Sequence, residues 1–188
     1  MKNFNKRWLL LIPLILVLAI GGFVLWAATP GGATLPEAIA ALASDATVTV
    51  DSSPWLVFTP VTTAPTTGFV FYPGGRVLVD AYAPAARQLA QAGYLVVLVP
   101  MPLNLAVLGA NSADEVVAAY PDIETWAIGG HSLGGAMAAN YVKSHPGVMS
   151  GLVIWASYPQ ASDTLADETM LVVASVSGTL DGLAKPAD

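Results

Sequence analysis

One stretch limits what this chain can become more than any other: Trp126-Ala127-Ile128-Gly129-Gly130-His131-Ser132-Leu133-Gly134-Gly135, followed by Ala136-Met137-Ala138-Ala139-Asn140-Tyr141-Val142-Lys143. It starts apolar and β-prone, turns through glycine, and continues with helical character. Gly130-His131-Ser132-Leu133-Gly134 spells G-x-S-x-G. A serine at the tip of a tight strand-to-helix turn needs a strained backbone and neighbours without side chains, and the two outer glycines supply that room. The turn exposes the Ser132 hydroxyl above the sheet and aims the first helical N–H groups at a reacting oxygen, where a helix N-terminus favours negative charge. A glycine-rich turn that merely contains serine would lack the flanking strand and helix. Both flanks are here.

Around this unit the chain reads as one domain behind an apolar leader. Met1 to Arg7 is basic through Lys2, Lys6 and Arg7, and Trp8 to Ala28 carries no charge. That run reaches the roughly 20 residues a helix needs to cross a bilayer. It is long for a cleavable signal, whose apolar core is about 7–15 residues, although Ala27-Ala28-Thr29 offers a cleavage site. The expectation is an uncleaved anchor at 1–28 with a cytoplasmic N-terminus, and a secreted protein if it is cut. Trp8 and Trp26 fall near the two interfaces, and Pro13 counts mildly against a regular helix. Beyond the anchor stand four basic residues, Arg76, Arg87, Lys143 and Lys185, against all thirteen acids. That balance argues against nucleic acid or anionic lipid as partner. With no cysteine and only His131 and His145, disulfides, a thiol nucleophile and a histidine-rich metal site drop out, and no cofactor is implied.

Residues 29–44 read as a flexible stem with a small helix at Leu35–Ala43. From 45 to 188, strands are expected at Thr47–Val50, Trp55–Thr59, Gly68–Tyr72, Tyr94–Val99, Trp126–Gly129, Leu152–Trp155 and Leu171–Val176. Helices are expected at Ala83–Ala92, Ala113–Tyr120 and Ser132–Ser144, with Leu103–Gly109 an apolar loop or short helix. The later strands are apolar without alternation, as strands buried on both faces are. The expectation is α/β: a mostly parallel sheet with helices on both faces, a three-layer sandwich, and the first two strands as an antiparallel edge.

Ligands of such sheets bind beyond the carboxyl ends of the strands, and the informative residues fall there. Tyr72-Pro73-Gly74-Gly75-Arg76 can offer a backbone N–H to an oxyanion, with Gly75 the chosen donor and Leu133 the second; an ordinary tight turn is the alternative, and Arg76 reads as a solvated charge. Ser177-Gly178-Thr179-Leu180-Asp181-Gly182 follows the last strand, where a carboxylate can orient an imidazole. Asp181 is the candidate acid and Asp163 the runner-up, while Asp114, Glu115, Asp122 and Glu124 read as helix-end or solvated charges. The apolar loop Met101–Leu108 lines an acyl pocket or simply packs in the core.

In that order these three motifs resemble the α/β-hydrolase superfamily, and within it the small dienelactone-hydrolase-like serine hydrolases that carry an N-terminal membrane segment. The resemblance implies an α/β-hydrolase fold, Ser132 as nucleophile, Asp181 as acid, Gly75 and Leu133 as oxyanion hole, and a small-molecule ester as substrate. It also implies a general-base histidine after one further strand. His131 precedes the nucleophile and points away, and His145 lies thirteen residues on, about 20 Å along the helix. The expectation is therefore a C-terminally incomplete hydrolase, lacking its last strand, helix and histidine, with Leu171–Val176 left as an exposed edge. A transferase using the same acyl-enzyme, and a non-catalytic hydrolase-fold binding module, stay open beside it.

Overall fold

The computed structural model describes residues 11–166 and 168–184; the basic start, Trp8 and the closing Lys185–Asp188 lie outside the described residues. The apolar run forms helix α1, Leu11–Ala28, exposed along nearly its whole length and not interrupted by Pro13. Its 18 residues span about 27 Å, close to a hydrocarbon core of about 30 Å. The small helix α2 occupies Pro36–Ala40.

The remaining elements are β1 (Val48–Asp51), β2 (Leu56–Pro60), β3 (Thr67–Tyr72), α3 (Ala83–Gln91), β4 (Leu95–Leu98), α4 (Ala113–Ala119), β5 (Thr125–His131), α5 (Leu133–Ser144), β6 (Gly151–Trp155) and β7 (Val172–Val176). They form one seven-stranded sheet in the order β1-β2-β4-β3-β5-β6-β7. The first two strands are antiparallel, β2 also runs against β4, and every pair from β4 through β7 is parallel. Each expected strand and helix is present.

Two apolar cores explain why the inner strands are apolar without alternation. Val70 and Tyr72 of β3, Leu95 and Val97 of β4, and Ile128 of β5 face a core shared with α4 and α5. The intervening Phe71, Val96 and Leu98 face a second core with Ala83, Ala86 and Ala90 of α3. All four β4 side chains are buried, at about 1.5–3 kcal/mol of hydrophobic stabilisation for each one. The Tyr72 hydroxyl donates to the Ala110 carbonyl at 2.9 Å and accepts from the Ala113 N–H at 2.8 Å. It thereby satisfies the start of α4, where Ser112 makes no side-chain cap.

Cover is uneven. Along β5 and β6 the α3 face is an open apolar groove of about 370 Å³ between Phe69, Ala127, Val153 and Trp155 and the α3 residues Ala86 and Leu89. It runs the length of the sheet, from Thr67 and Gly68 to Phe71, Leu98 and Trp155 at or beside the carboxyl ends of β3, β4 and β6, where Tyr82 also lines it. β7 pairs only with β6 among the described residues and is exposed throughout, Val172 at 72%.

Topology fixes where a site can form. From β3 the chain crosses by α3 to β4, then returns past β3 by α4 to β5 and continues through α5 to β6. The segments leaving β3 and β5 therefore go to opposite faces of the sheet, which opens a crevice at their carboxyl ends. Pro73–Arg76 and Ser132 lie at that crevice.

Candidate active site

β5 ends at His131, α5 begins at Leu133, and Ser132 between them has φ 51° and ψ −120°. Such a conformation costs a non-glycine residue about 1–3 kcal/mol and persists only where its surroundings hold it. Here the Ser132 N–H donates to the Trp155 carbonyl at 2.9 Å, and the Ser132 carbonyl accepts from the Ser157 hydroxyl at 2.7 Å and the Ala136 N–H at 3.2 Å. The outer glycines are required for close approach. A Cβ on Gly130 would overlap the Gly134 backbone, and one on Gly134 would overlap the carbonyls of Tyr72 and Pro73. Ser132 is exposed, and its hydroxyl has no hydrogen-bond partner among the described residues.

The turn after β3 is brought to the same place. A Cβ built on Gly75 would lie 3.5 Å from Leu133 Cδ2, an ordinary contact, so Gly75 is a neighbour of Leu133 without being sterically obliged to be glycine. Among the described residues neither the Gly75 N–H nor the Leu133 N–H donates to any backbone carbonyl or side chain. Two unpaired donors thus flank the exposed serine at the start of a 12-residue helix. The turn itself is held from Gly74, whose N–H donates to the Tyr82 hydroxyl at 2.9 Å.

The two candidate acids differ in setting. Asp181 follows β7, and its Oδ1 accepts from the N–H groups of Leu183 and Ala184 at 2.8 and 3.0 Å. These bonds, aided by the nearby His131, hold its carboxyl below the usual range. Asp163 is buried, accepting from Asn140 Nδ2 of α5 at 3.2 Å and from the Ser162 hydroxyl at 3.0 Å.

Neither histidine is bonded to Ser132. His131 Nδ1 lies 2.9 Å from the Tyr82 hydroxyl, its ring packed among Tyr82 and Trp155. Burial pushes its pKa down, opposed by the charge of Asp181. His145 ends α5, stacked on Tyr141 at 4.2 Å with Nε2 3.5 Å from Asp114. Asp114 is the helix-end charge expected, exposed in the first turn of α4, and it also accepts from the Tyr141 hydroxyl at 2.6 Å.

Two expectations are corrected at the rim. Arg76 is not a solvated charge, and the stem is not free. Arg76 Nε donates to the Thr29 carbonyl at 3.0 Å, its guanidinium lies 4.7 Å from the centre of the Trp26 ring, and its carbonyl accepts from the Gly31 N–H at 2.7 Å. Backbone carbonyls at a helix end need donors, and Arg76 and Asn104 provide them. The loop after β4 forms two 3₁₀ turns, Pro102–Asn104 and Ala106–Leu108, with Leu105 and Ala106 buried and Val107 and Leu108 exposed. Tyr82 and Asn104 were missed by sequence reasoning, and no local motif marks their roles.

A strained, exposed serine between strand and helix at the switch point of a mostly parallel sheet is the arrangement expected of an α/β hydrolase. The chain belongs to the alpha/beta hydrolase family, whose family model matches residues 68–188. Its fold is also similar to that of a carboxylesterase from Mesorhizobium loti, at 11% identity with a TM-score of 0.51, over 70% of this chain and 90% of that one. A Klebsiella pneumoniae protein assigned as a dienelactone hydrolase matches at 14% identity and TM-score 0.49, over 68% and 70%. MenH from S. aureus matches at 15% and 0.46, over 56% of this chain, which spans 42% of the length of MenH. No curated protein matches the chain in sequence.

Proposed function

We propose that this hydrolase is a serine hydrolase that cleaves a carboxylic ester or similar acyl bond through an acyl-Ser132 intermediate, and that α1 tethers it outside the membrane. The observation that carries the reading is the exposed, unpartnered Ser132 hydroxyl at φ 51° beside the unpaired N–H groups of Gly75 and Leu133. In this reading Ser132 Oγ attacks the ester carbonyl carbon as an imidazole base takes its proton. The carbonyl oxygen becomes an oxyanion facing the two N–H groups and the α5 N-terminus, an arrangement suited to charge that develops only in the transition state. Collapse breaks the acyl–oxygen bond, the alcohol leaves with the proton from the base, and water then releases the acid from Ser132. Asp181 is the carboxylate that orients the base. Neither His131, engaged by Tyr82, nor His145, engaged by Asp114, is assigned as that base.

The tether rests on the length and exposure of α1 and on Lys2, Lys6 and Arg7 before it. The contacts that Ala27, Ala28 and Thr29 make with the domain favour a retained anchor, since cleavage there would remove them. The test is hydrolysis of p-nitrophenyl acyl esters by the chain in vesicles, with free imidazole added as a base. Turnover above the rate of imidazole and vesicles alone should depend on imidazole and vanish in Ser132→Ala. Turnover unchanged by that substitution would exclude Ser132.

A further inference from the structure

The last turn of the exposed helix α1 is fastened to the rim of the Ser132 crevice. Asn104 Nδ2 donates to the carbonyls of Ala27 and Ala28 at 3.3 and 3.2 Å. Arg76 Nε donates to Thr29 O at 3.0 Å while its guanidinium covers Trp26, a cation–π arrangement. Ala27 is fully buried by this clasp although the rest of the described helix is exposed. The two clasping residues are joined by the Arg76 N–H donating to the Asn104 carbonyl at 2.8 Å, and both hold left-handed backbone, φ 60° and 55°. Strain at two adjoining non-glycine residues needs a reason. Here it aims both side chains at the helix end. Arg76 directly follows Gly75, so the end of α1 and a candidate oxyanion donor share one turn.

The surroundings suit an interface with lipid. A helix leaves a bilayer at its last turn, which rises only about 5.4 Å. Whatever is fastened there sits at the membrane surface. Little charge lines this rim: Thr29–Pro36 and Pro100–Ala110 contain no charged residue, and exposed Glu37 follows Pro36 directly. Arg76 is engaged by the clasp, and Asp80 accepts from the Thr34 hydroxyl at 2.8 Å. Leu35, Val107 and Leu108 are exposed apolar residues of these segments, at 61, 55 and 52%. The opposite end of the sheet, with exposed Asp122 just before β5, stands about 20 Å away along that strand.

We propose that the Arg76–Asn104 clasp holds the mouth of the Ser132 site against the bilayer surface, so that its substrate is an amphiphilic acyl ester drawn from the leaflet and not from water. This rests on the reading of α1 as a retained span and of Ser132 as the nucleophile, and it can be tested without catalysis. The chain has no cysteine, so Ser132→Cys and Asp122→Cys each provide a single thiol. Full-length chains are reconstituted in phosphatidylcholine vesicles and alkylated by an N-hexadecyl maleimide carried in the bilayer or by a sulfonated, water-soluble maleimide.

Because a reagent confined to the leaflet has a raised effective concentration only for groups at its surface, Ser132→Cys should react about ten-fold faster than Asp122→Cys with the lipid-borne reagent. The water-soluble reagent should show no such preference. Adding Arg76→Gly and Asn104→Gly removes the clasp while glycine accepts both left-handed conformations; the lipid-borne preference should disappear, and an unchanged Ser132→Cys rate with the soluble reagent shows that the site is still folded. Equal lipid-borne rates at both thiols in a chain that resists alkaline carbonate extraction would overturn this inference alone. A preference that survives loss of the clasp would overturn the role of Arg76 and Asn104. A chain extracted by carbonate would overturn the membrane tether and this inference with it.

Discussion

Tyr82→Phe removes one oxygen from the molecule and tests whether the site is built as described. That hydroxyl accepts the Gly74 N–H at 2.9 Å and meets His131 Nδ1 at 2.9 Å, and Tyr82 is only 8% exposed. Phenylalanine fills the same aromatic space against Phe71 and Trp155, so the packing contribution changes little. What changes is that the N–H of buried Gly74 loses its acceptor, which costs about 1–3 kcal/mol. For a chain of this size that lowers Tm by roughly 5 °C. Tyr94→Phe is the control: Tyr94 is 41% exposed, and its substitution should fall within about 0.5 kcal/mol of the parent. Thermal and denaturant unfolding read both. The functional consequence is separate. Gly74 precedes Gly75, so a loosened turn should slow imidazole-supported acylation by about ten-fold, less than the roughly 100-fold of losing an oxyanion donor itself. Equal stability of the two variants would refute the claim that Tyr82 holds this turn.

Three other outcomes follow from the same geometry. His131 titrates below its ordinary 6.5 because burial disfavours its charge. Its contribution to stability is therefore complete above about pH 6.5 and lost as pH falls through the lowered value; unfolding at pH 5 should need less denaturant than at pH 7.5, and a Tm independent of pH across that window would contradict this. Asp181→Asn removes the opposing charge, so the His131 proton resonances should titrate at still lower pH; no change would place Asp181 out of reach of the elbow. Amide exchange should be fast in Val172–Val176, whose side chains are exposed and which has one strand neighbour among the described residues, and slow in Thr125–His131, paired on both sides. Equal protection would show that β7 is covered in solution. Such an edge is also a template for association, which light scattering would report.

The fold was largely legible because its determinants are local. Apolar runs at 68–72, 94–99 and 126–129 mark strands covered on both faces, and the turn at Ser132 needs Gly130 and Gly134 two residues to either side. What escaped is long-range. Arg76 meets Thr29 across 47 residues, Asn104 meets Ala27 across 77, and Tyr82 meets His131 across 49. No periodicity encodes such partners, so the stem read as flexible and Arg76 as solvated. Asp114 is at a helix end as read, but only the fold brings Tyr141 and His145 to it. The apolar composition of Leu171–Val176 identified a strand, but which neighbours cover it is a property of the sheet.

The central claim is that Ser132 is the nucleophile, and covalent trapping tests it most directly. The full chain in vesicles is treated with a fluorophosphonate, with and without free imidazole, and the adduct is located by peptide mass mapping. A single adduct on Ser132 is expected, formed slowly alone because an unassisted hydroxyl is a poor nucleophile, faster with imidazole, and absent from Ser132→Ala. An adduct on another residue, or labelling that survives Ser132→Ala, would contradict the account.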